Sequence, residues 1–277
     1  MTTSSGVVAG GTVTFSVDGT PVGPVALSGG QAATGVPAGL PVGEHTVTAD
    51  FISDNTAAVS NGSATTGFSA AKAGSALTAS MGAGTVRYGD QGSFTISAQA
   101  PTAPAGTDLT GHVTVNDGDT LITEGDTDAT GRASLSVLNR ADPGAKTYTV
   151  SYSGNAGVDA SSVAMSVQTA QTNVDLSIDG TDGVLPGTNA TITVDVIGTP
   201  DAPTGTVTIS YDGSQLAGGQ VDGNGKLSAT VPAAVAGDHQ VQVSYAGDAR
   251  FQPNTATATL SVKAPVANPN AAGAAAA

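Results

Sequence analysis

Apolar and polar side chains alternate along this chain in short runs, separated by clusters of Gly, Asp, Asn and Ser. Gly11-Thr-Val-Thr-Phe-Ser-Val-Asp-Gly19 is one run; it returns as Gly111-His-Val-Thr-Val-Asn-Asp-Gly118 and as Gly205-Thr-Val-Thr-Ile-Ser-Tyr-Asp-Gly213, at intervals of 100 and 94 residues. A second run, Gly43-Glu-His-Thr-Val-Thr-Ala-Asp-Phe51, returns as Ala145-Lys-Thr-Tyr-Thr-Val-Ser-Tyr152 and Gly237-Asp-His-Gln-Val-Gln-Val-Ser-Tyr245. A period of two is that of a strand with one face inward. The clusters between runs, such as Asp126-Thr-Asp-Ala-Thr-Gly131 and Asp222-Gly-Asn-Gly225, supply residues that accept positive φ and predict hairpin turns.

The two later copies carry an additional pair of strands ahead of these anchors. In one it is Ser75-Ala-Leu-Thr-Ala-Ser80 with Gly89-Asp-Gln-Gly-Ser-Phe-Thr-Ile-Ser-Ala98, and in the other Asn173-Val-Asp-Leu-Ser-Ile178 with Gly187-Thr-Asn-Ala-Thr-Ile-Thr-Val-Asp-Val196. The fold class is therefore all-β, with tandem immunoglobulin-like sandwiches of about seven strands each arranged as an elongated rod. The expected domains are 1–72, a partial repeat lacking its first two strands; 73–169 and 170–263, complete repeats; and 264–277, a disordered Ala/Pro-rich tail. The boundaries lack long Pro or Gly/Ser spacers, so successive modules should abut with limited freedom.

Composition narrows the classes of function. Twenty-two acidic against eight basic residues give a net charge of −14, which leaves no basic stripe for nucleic acid. No apolar run reaches membrane-spanning length, so no membrane insertion is expected. With no cysteine there is neither a disulfide nor a thiolate site. Tryptophan is absent and aromatics make up 4% of residues, which leaves few stacking platforms for sugars or bases.

The quoted runs resemble the bacterial Ig-like repeat family, found in bacterial surface proteins and phage structural proteins. Repeat three matches it best, through Gly205 to Gly213, Gly237 to Tyr245 and Gly247-Asp-Ala-Arg-Phe-Gln-Pro253; repeat two departs from it at Lys146 and at Ser153-Gly-Asn-Ala-Gly157. The resemblance implies spacers, adhesive modules or decorations, because a fold is not a function.

The candidate chemistry is sparse. Asp117, Asp119, Glu124, Asp126 and Asp128 form the densest carboxylate cluster. They read first as turn formers and second as a calcium loop, although their spacing is not that of an EF-hand. His45 and His239 occupy the same place in different repeats and His112 lies on another strand, so a shared metal site is not expected. A Lys–Asn isopeptide bond at Lys72, Lys146, Lys226 or Lys263 would need a buried acid beside it. No Gly-x-Ser-x-Gly elbow or other catalytic constellation is present, so no enzyme and no cofactor are expected.

The sequence thus predicts a non-enzymatic structural or display protein projecting from a larger assembly. Because Met1 begins without a signal segment, the first expectation is a virion decoration, tail or fibre component at the virion surface. The alternative is a stalk or adhesive segment of a secreted bacterial cell-surface protein, and a further one is a calcium- or glycan-binding module. The expected partners are other proteins of that assembly, reached through the incomplete repeat 1–72, with host-surface or glycan contacts besides.

Overall fold

The computed structural model describes residues 10–82 and 85–263; the expected tail, 264–277, lies outside them. Every regular element among the described residues is a strand.

Repeat three shows the complete plan. Strands β13 (Asp175–Asp179), β14 (Ala190–Ile197) and β17 (Lys226–Val231) form one sheet in the order β13-β14-β17. Strands β15 (Thr206–Tyr211), β16 (Ser214–Gln220), β18 (Gly237–Tyr245) and β19 (Asn254–Val262) form the other, ordered β16-β15-β18-β19. Alternation does the packing: Ala190, Ile192, Val194 and Val196 turn inward from β14 to meet Val207 and Ile209 of β15 and Val241, Val243 and Tyr245 of β18. Each fully buried Val or Ile contributes roughly 1.5–3 kcal/mol of transfer free energy. The pairs Val207↔Tyr245, Ile209↔Val243 and Tyr211↔Val241 fix the register, since a slip by one residue would turn the whole apolar set outward.

Two local devices recur in all three repeats. The strand after Gly205 has a register shift at Ile209/Ser210, matched at Val115/Asn116 and Phe15/Ser16. The glycine that opens this strand makes room for an aromatic ring: a Cβ on Gly11, Gly111 or Gly205 would run into Phe51, Tyr152 or Tyr245 respectively. The opening Gly of each anchor is thus explained by the ring that closes the neighbouring strand.

Repeat two contains β5 (Ala76–Met81), β6 (Val86–Arg87), β7 (Gln91–Gln99), β8 (Gly111–Asp117), β9 (Thr120–Thr127), β10 (Arg132–Leu138), β11 (Gly144–Tyr152) and β12 (Ser161–Ala170). Its sheets are ordered β10-β7-β5 and β6-β12-β11-β8-β9. The short β6 runs parallel to β12, and repeat three has the same parallel contact in the bridge Val184↔Val262.

The chain divides into two compact units. One comprises Met1–Ser80, Phe94–Leu135 and Tyr148–Met165, the other Met81–Ser93, Ser136–Thr147 and Ser166–Ala277. The division falls within repeat two rather than at 72/73 or 169/170.

Repeat one has a single sheet. Its strands β1 (Gly11–Val17), β2 (Thr20–Ala26), β3 (Gly43–Ser53) and β4 (Gly62–Ala70) pair in the order β2-β1-β3-β4, the counterpart of β16-β15-β18-β19. The sequence suggested that two strands are missing, but the strand order adds a third. Between β2 and β3 the described residues form only the isolated bridge Ser28↔Gln31, where repeat three has β17. The cause is pairing: β17 has one ladder partner, β14, and repeat one has no counterpart of β14 to hold such a strand.

Candidate functional site

Three features merit attention as sites: the open sheet of repeat one, the carboxylates of repeat two and the charged cluster beside Tyr88.

In the sealed module Val207, Ile209, Val241 and Val243 have no exposed surface. On the equivalent face of repeat one Val13 retains 9%, and Phe15, Leu27 and Ala49 are only half-buried. A groove of about 650 Å³ lies over this face, lined by Val13, Phe15, Val25, Leu27, Ala33 and Ala49. Its walls are aliphatic and aromatic, suited to an extended apolar strand rather than to a charged ligand.

The predicted calcium residues are strung along a strand rather than gathered. Asp117 ends β8 and Asp119 occupies its hairpin turn, whereas Asp128 follows the far end of the eight-residue β9. At about 3.3 Å per residue these ends are some 25 Å apart. The Asp128 carboxylate is committed locally, accepting from Thr130 N at 2.8 Å, Thr130 Oγ1 at 2.7 Å and Arg132 N at 3.0 Å; these bonds, that of the Thr130 side chain first, hold its pKa below the ordinary value. Glu124 and Asp126 share a face of β9 and flank His112, at 3.3 Å from Nε2 and 3.0 Å from Nδ1. No cluster of three metal-ligating side chains occurs among the described residues.

The other histidines lie far from His112 in sequence and each has its own acid. His45 Nδ1 is 2.6 Å from Asp18 Oδ2, and His239 Nδ1 is 2.7 Å from Asp212 Oδ2. Lys72 and Lys226 are exposed; the first donates to the Asn155 carbonyl at 2.7 Å and the second pairs with Asp195. Neither has the burial that an isopeptide bond would require.

The cluster beside Tyr88 was not legible as a motif. Within the second unit, the Tyr88 hydroxyl donates to Asp201, Arg140 Nη1 lies 3.2 Å from the same carboxylate, and Arg250 Nη1 lies 3.3 Å from it. Arg250 also sends Nε to Asp142 at 2.8 Å and places its guanidinium 5.0 Å from the centre of the Tyr88 ring. Phe251 meets that ring edge-on at 5.9 Å. The hydrogen bond from Tyr88, followed by the field of Arg140, depresses the Asp201 pKa. Backbone joins the arrangement: Thr172 N donates to Arg250 O at 3.0 Å and Gln252 N to Thr172 O at 2.8 Å. Loops of repeat two are thereby fastened to loops of repeat three by a cation–π contact, an aromatic pair and shared ion pairs, all from protein groups.

Two packed sheets with this strand order define an immunoglobulin-like sandwich. Residues 176–263 match the family profile of the bacterial Ig-like domain (group 3), so the resemblance carried by the anchors of repeat three is confirmed over that span. No curated protein sequence matches the chain. Among solved structures it is similar to a 1.5-MDa bacterial ice-binding adhesin, with 14% identity over 94% of this chain and 88% of that one and a TM-score of 0.32. It is similar to the three-domain titin stretch I67–I69, with 14% identity over 91% and 88% and a TM-score of 0.38. The adhesin InvE of Yersinia pseudotuberculosis gives 16% identity over 67% of this chain and 59% of that one, with a TM-score of 0.32. The fold assignment rests on the strand order, the registers and the group 3 match.

Proposed function

We propose that this chain is a non-catalytic stalk or adhesive segment of a bacterial extracellular surface protein, whose Ig-like modules hold a binding element away from its attachment. The observation that carries this reading is the fastening of repeat two to repeat three through Tyr88, Arg140, Asp142, Asp201, Arg250 and Phe251. A spacer needs junctions that resist bending, and this one is made from the protein's own side chains. The bacterial Ig-like match over 176–263 supports the bacterial setting. The apolar groove of repeat one supports docking to another protein of the assembly through 1–72, with an inserted strand taking the place that β14 holds in repeat three.

Immunogold labelling with antibody to residues 170–263 tests the setting, using intact producing bacteria and phage particles purified from the same culture. Label on the cell envelope is the expected result. Label confined to particles would instead establish the virion component expected from the sequence, and label confined to the cytoplasm would overturn both.

A further inference from the structure

One constellation occurs twice, and the proposed function does not use it. In repeat one the Asp18 carboxylate, held in the β1–β2 turn, takes His45 Nδ1 on one oxygen and the Thr46 backbone N–H, at 2.8 Å, on the other. The backbone N–H of Asp18 donates to Thr46 O at 2.9 Å. The second ring nitrogen of His45 lies 2.7 Å from the carbonyl of Pro41, in the loop that leads into β3. Repeat three reproduces every contact: Asp212 holds His239 Nδ1 and the Gln240 N–H, and His239 Nε2 lies 2.9 Å from the carbonyl of Val235, in the loop that leads into β18. Each ring stacks on an aromatic neighbour, His45 on Phe68 at 5.3 Å and His239 on Tyr211 at 5.0 Å.

The chemistry of the partners sets the protonation state. A carboxylate and a carbonyl both only accept, so a ring bonded to both must donate from both nitrogens, which only imidazolium does. The neutral ring has one N–H and must release one partner. The carboxylate is fixed by its backbone bonds, whereas the carbonyl belongs to a loop. Repeat two lacks both halves of the pair, with Lys146 at the histidine position and Gly118 at the aspartate position. The same loop in repeat two carries Arg140 and Asp142, which fasten it to Asp201 and Arg250. The loop that the histidine holds is therefore the one through which repeat two contacts repeat three.

We propose that the His45–Asp18 and His239–Asp212 pairs are proton-dependent pins that fix the module-contact loops of repeats one and three, residues 36–42 and 232–236, and release them when the ring loses its proton. The charged groups facing each ring all favour the pinned state: Asp18 and Glu44 around His45, Asp212 and Asp238 around His239, with Tyr211 neutral over this range. The bond to the aspartate, followed by that to the carbonyl, raises both histidine pKa values above the ordinary one. A raised folded-state value sets the sign: the pin is complete below the pKa of the free histidine and is lost as pH climbs through that of the folded protein.

The test is imidazole NMR of the full chain titrated from acid to alkaline pH, with backbone amide exchange corrected for its intrinsic pH dependence. Both ring nitrogens of His45 and His239 should be protonated at pH 6. Above the folded pKa, exchange protection of 36–42 and 232–236 should fall about tenfold for each unit separating the pinned from the free histidine, while 139–143 stays unchanged. Asp18→Asn and Asp212→Asn should return their histidines to ordinary titration without removing the rings, which keeps the test open if His239→Gln fails to fold. A neutral tautomer at pH 6, or unchanged loop protection on either side of the titration, would overturn the proposal.

Discussion

The strand that starts at Gly11 and the one that follows Gly205 share a pattern, a bulge, a hairpin and a histidine pin, yet one face of the first is open and that of the second is sealed. Phe15 and Ile209 hold equivalent places; Ile209 is fully buried, whereas Phe15 is half-exposed along a groove. The difference does not arise in the strands themselves. It comes from β13, β14 and β17, which supply the opposite wall in repeat three, and it shows that a four-stranded sheet with the right alternation is only half of a hydrophobic core.

The sharpest way to break that comparison is to cut the same depth from each repeat. Ile209→Ala should cost about 2–5 kcal/mol, because a cavity opens between two sheets. Phe15→Ala should cost about 1 kcal/mol or less, because water already reaches the site. Urea unfolding of the full chain, followed by a probe in each repeat, checks both values; equal losses would mean that repeat one is covered after all. An apolar dye should brighten on the full chain and lose that signal when residues 10–72 are deleted.

A smaller effect separates the closing tyrosines. The Tyr152 hydroxyl donates to Leu109 O at 3.1 Å, so Tyr152→Phe should cost about 1 kcal/mol. The Tyr245 hydroxyl is buried without a hydrogen-bond partner, and burial pushes its pKa up to about 12. Tyr245→Phe should therefore be neutral or slightly stabilising by the same measurement. Asp201→Ala should destabilise repeat three by less than Ile209→Ala, and the loss should shrink in high salt because its partners are partly exposed. Smallest of all, millimolar calcium should leave every melting midpoint in place, since the carboxylates from Asp117 to Asp128 are spread along β9. A rise of several degrees would show that they converge on an ion.

Much of the fold was legible because its signals are local. The Gly-x-Val-Thr anchors, the Asp-Gly hairpins and the two-residue period each act within a single strand or turn. The missing third strand of repeat one was not legible, because residues 31–40 fail to pair for want of a neighbour and not through any defect of their own. The carboxylate cluster misled by proximity in sequence: Asp117 and Asp128 are close along the chain but lie at opposite ends of an extended strand. The Tyr88 cluster hid for the opposite reason. Arg140, Asp142, Asp201 and Arg250 converge from distant loops, and only the Gly247-Asp-Ala-Arg-Phe turn hinted at a special role for that corner.

The parallel contact between the start and the end of each complete repeat has a mechanical meaning. In repeat two β6 lies alongside β12, and in repeat three Val184 pairs with Val262. Tension applied at the two ends of such a repeat drags these segments past each other, so their hydrogen bonds share the load and must yield together instead of unzipping one by one. Repeat one has no such clasp among its described residues. Stretched as one chain, this protein would give way first at its open module while the two sealed ones still held.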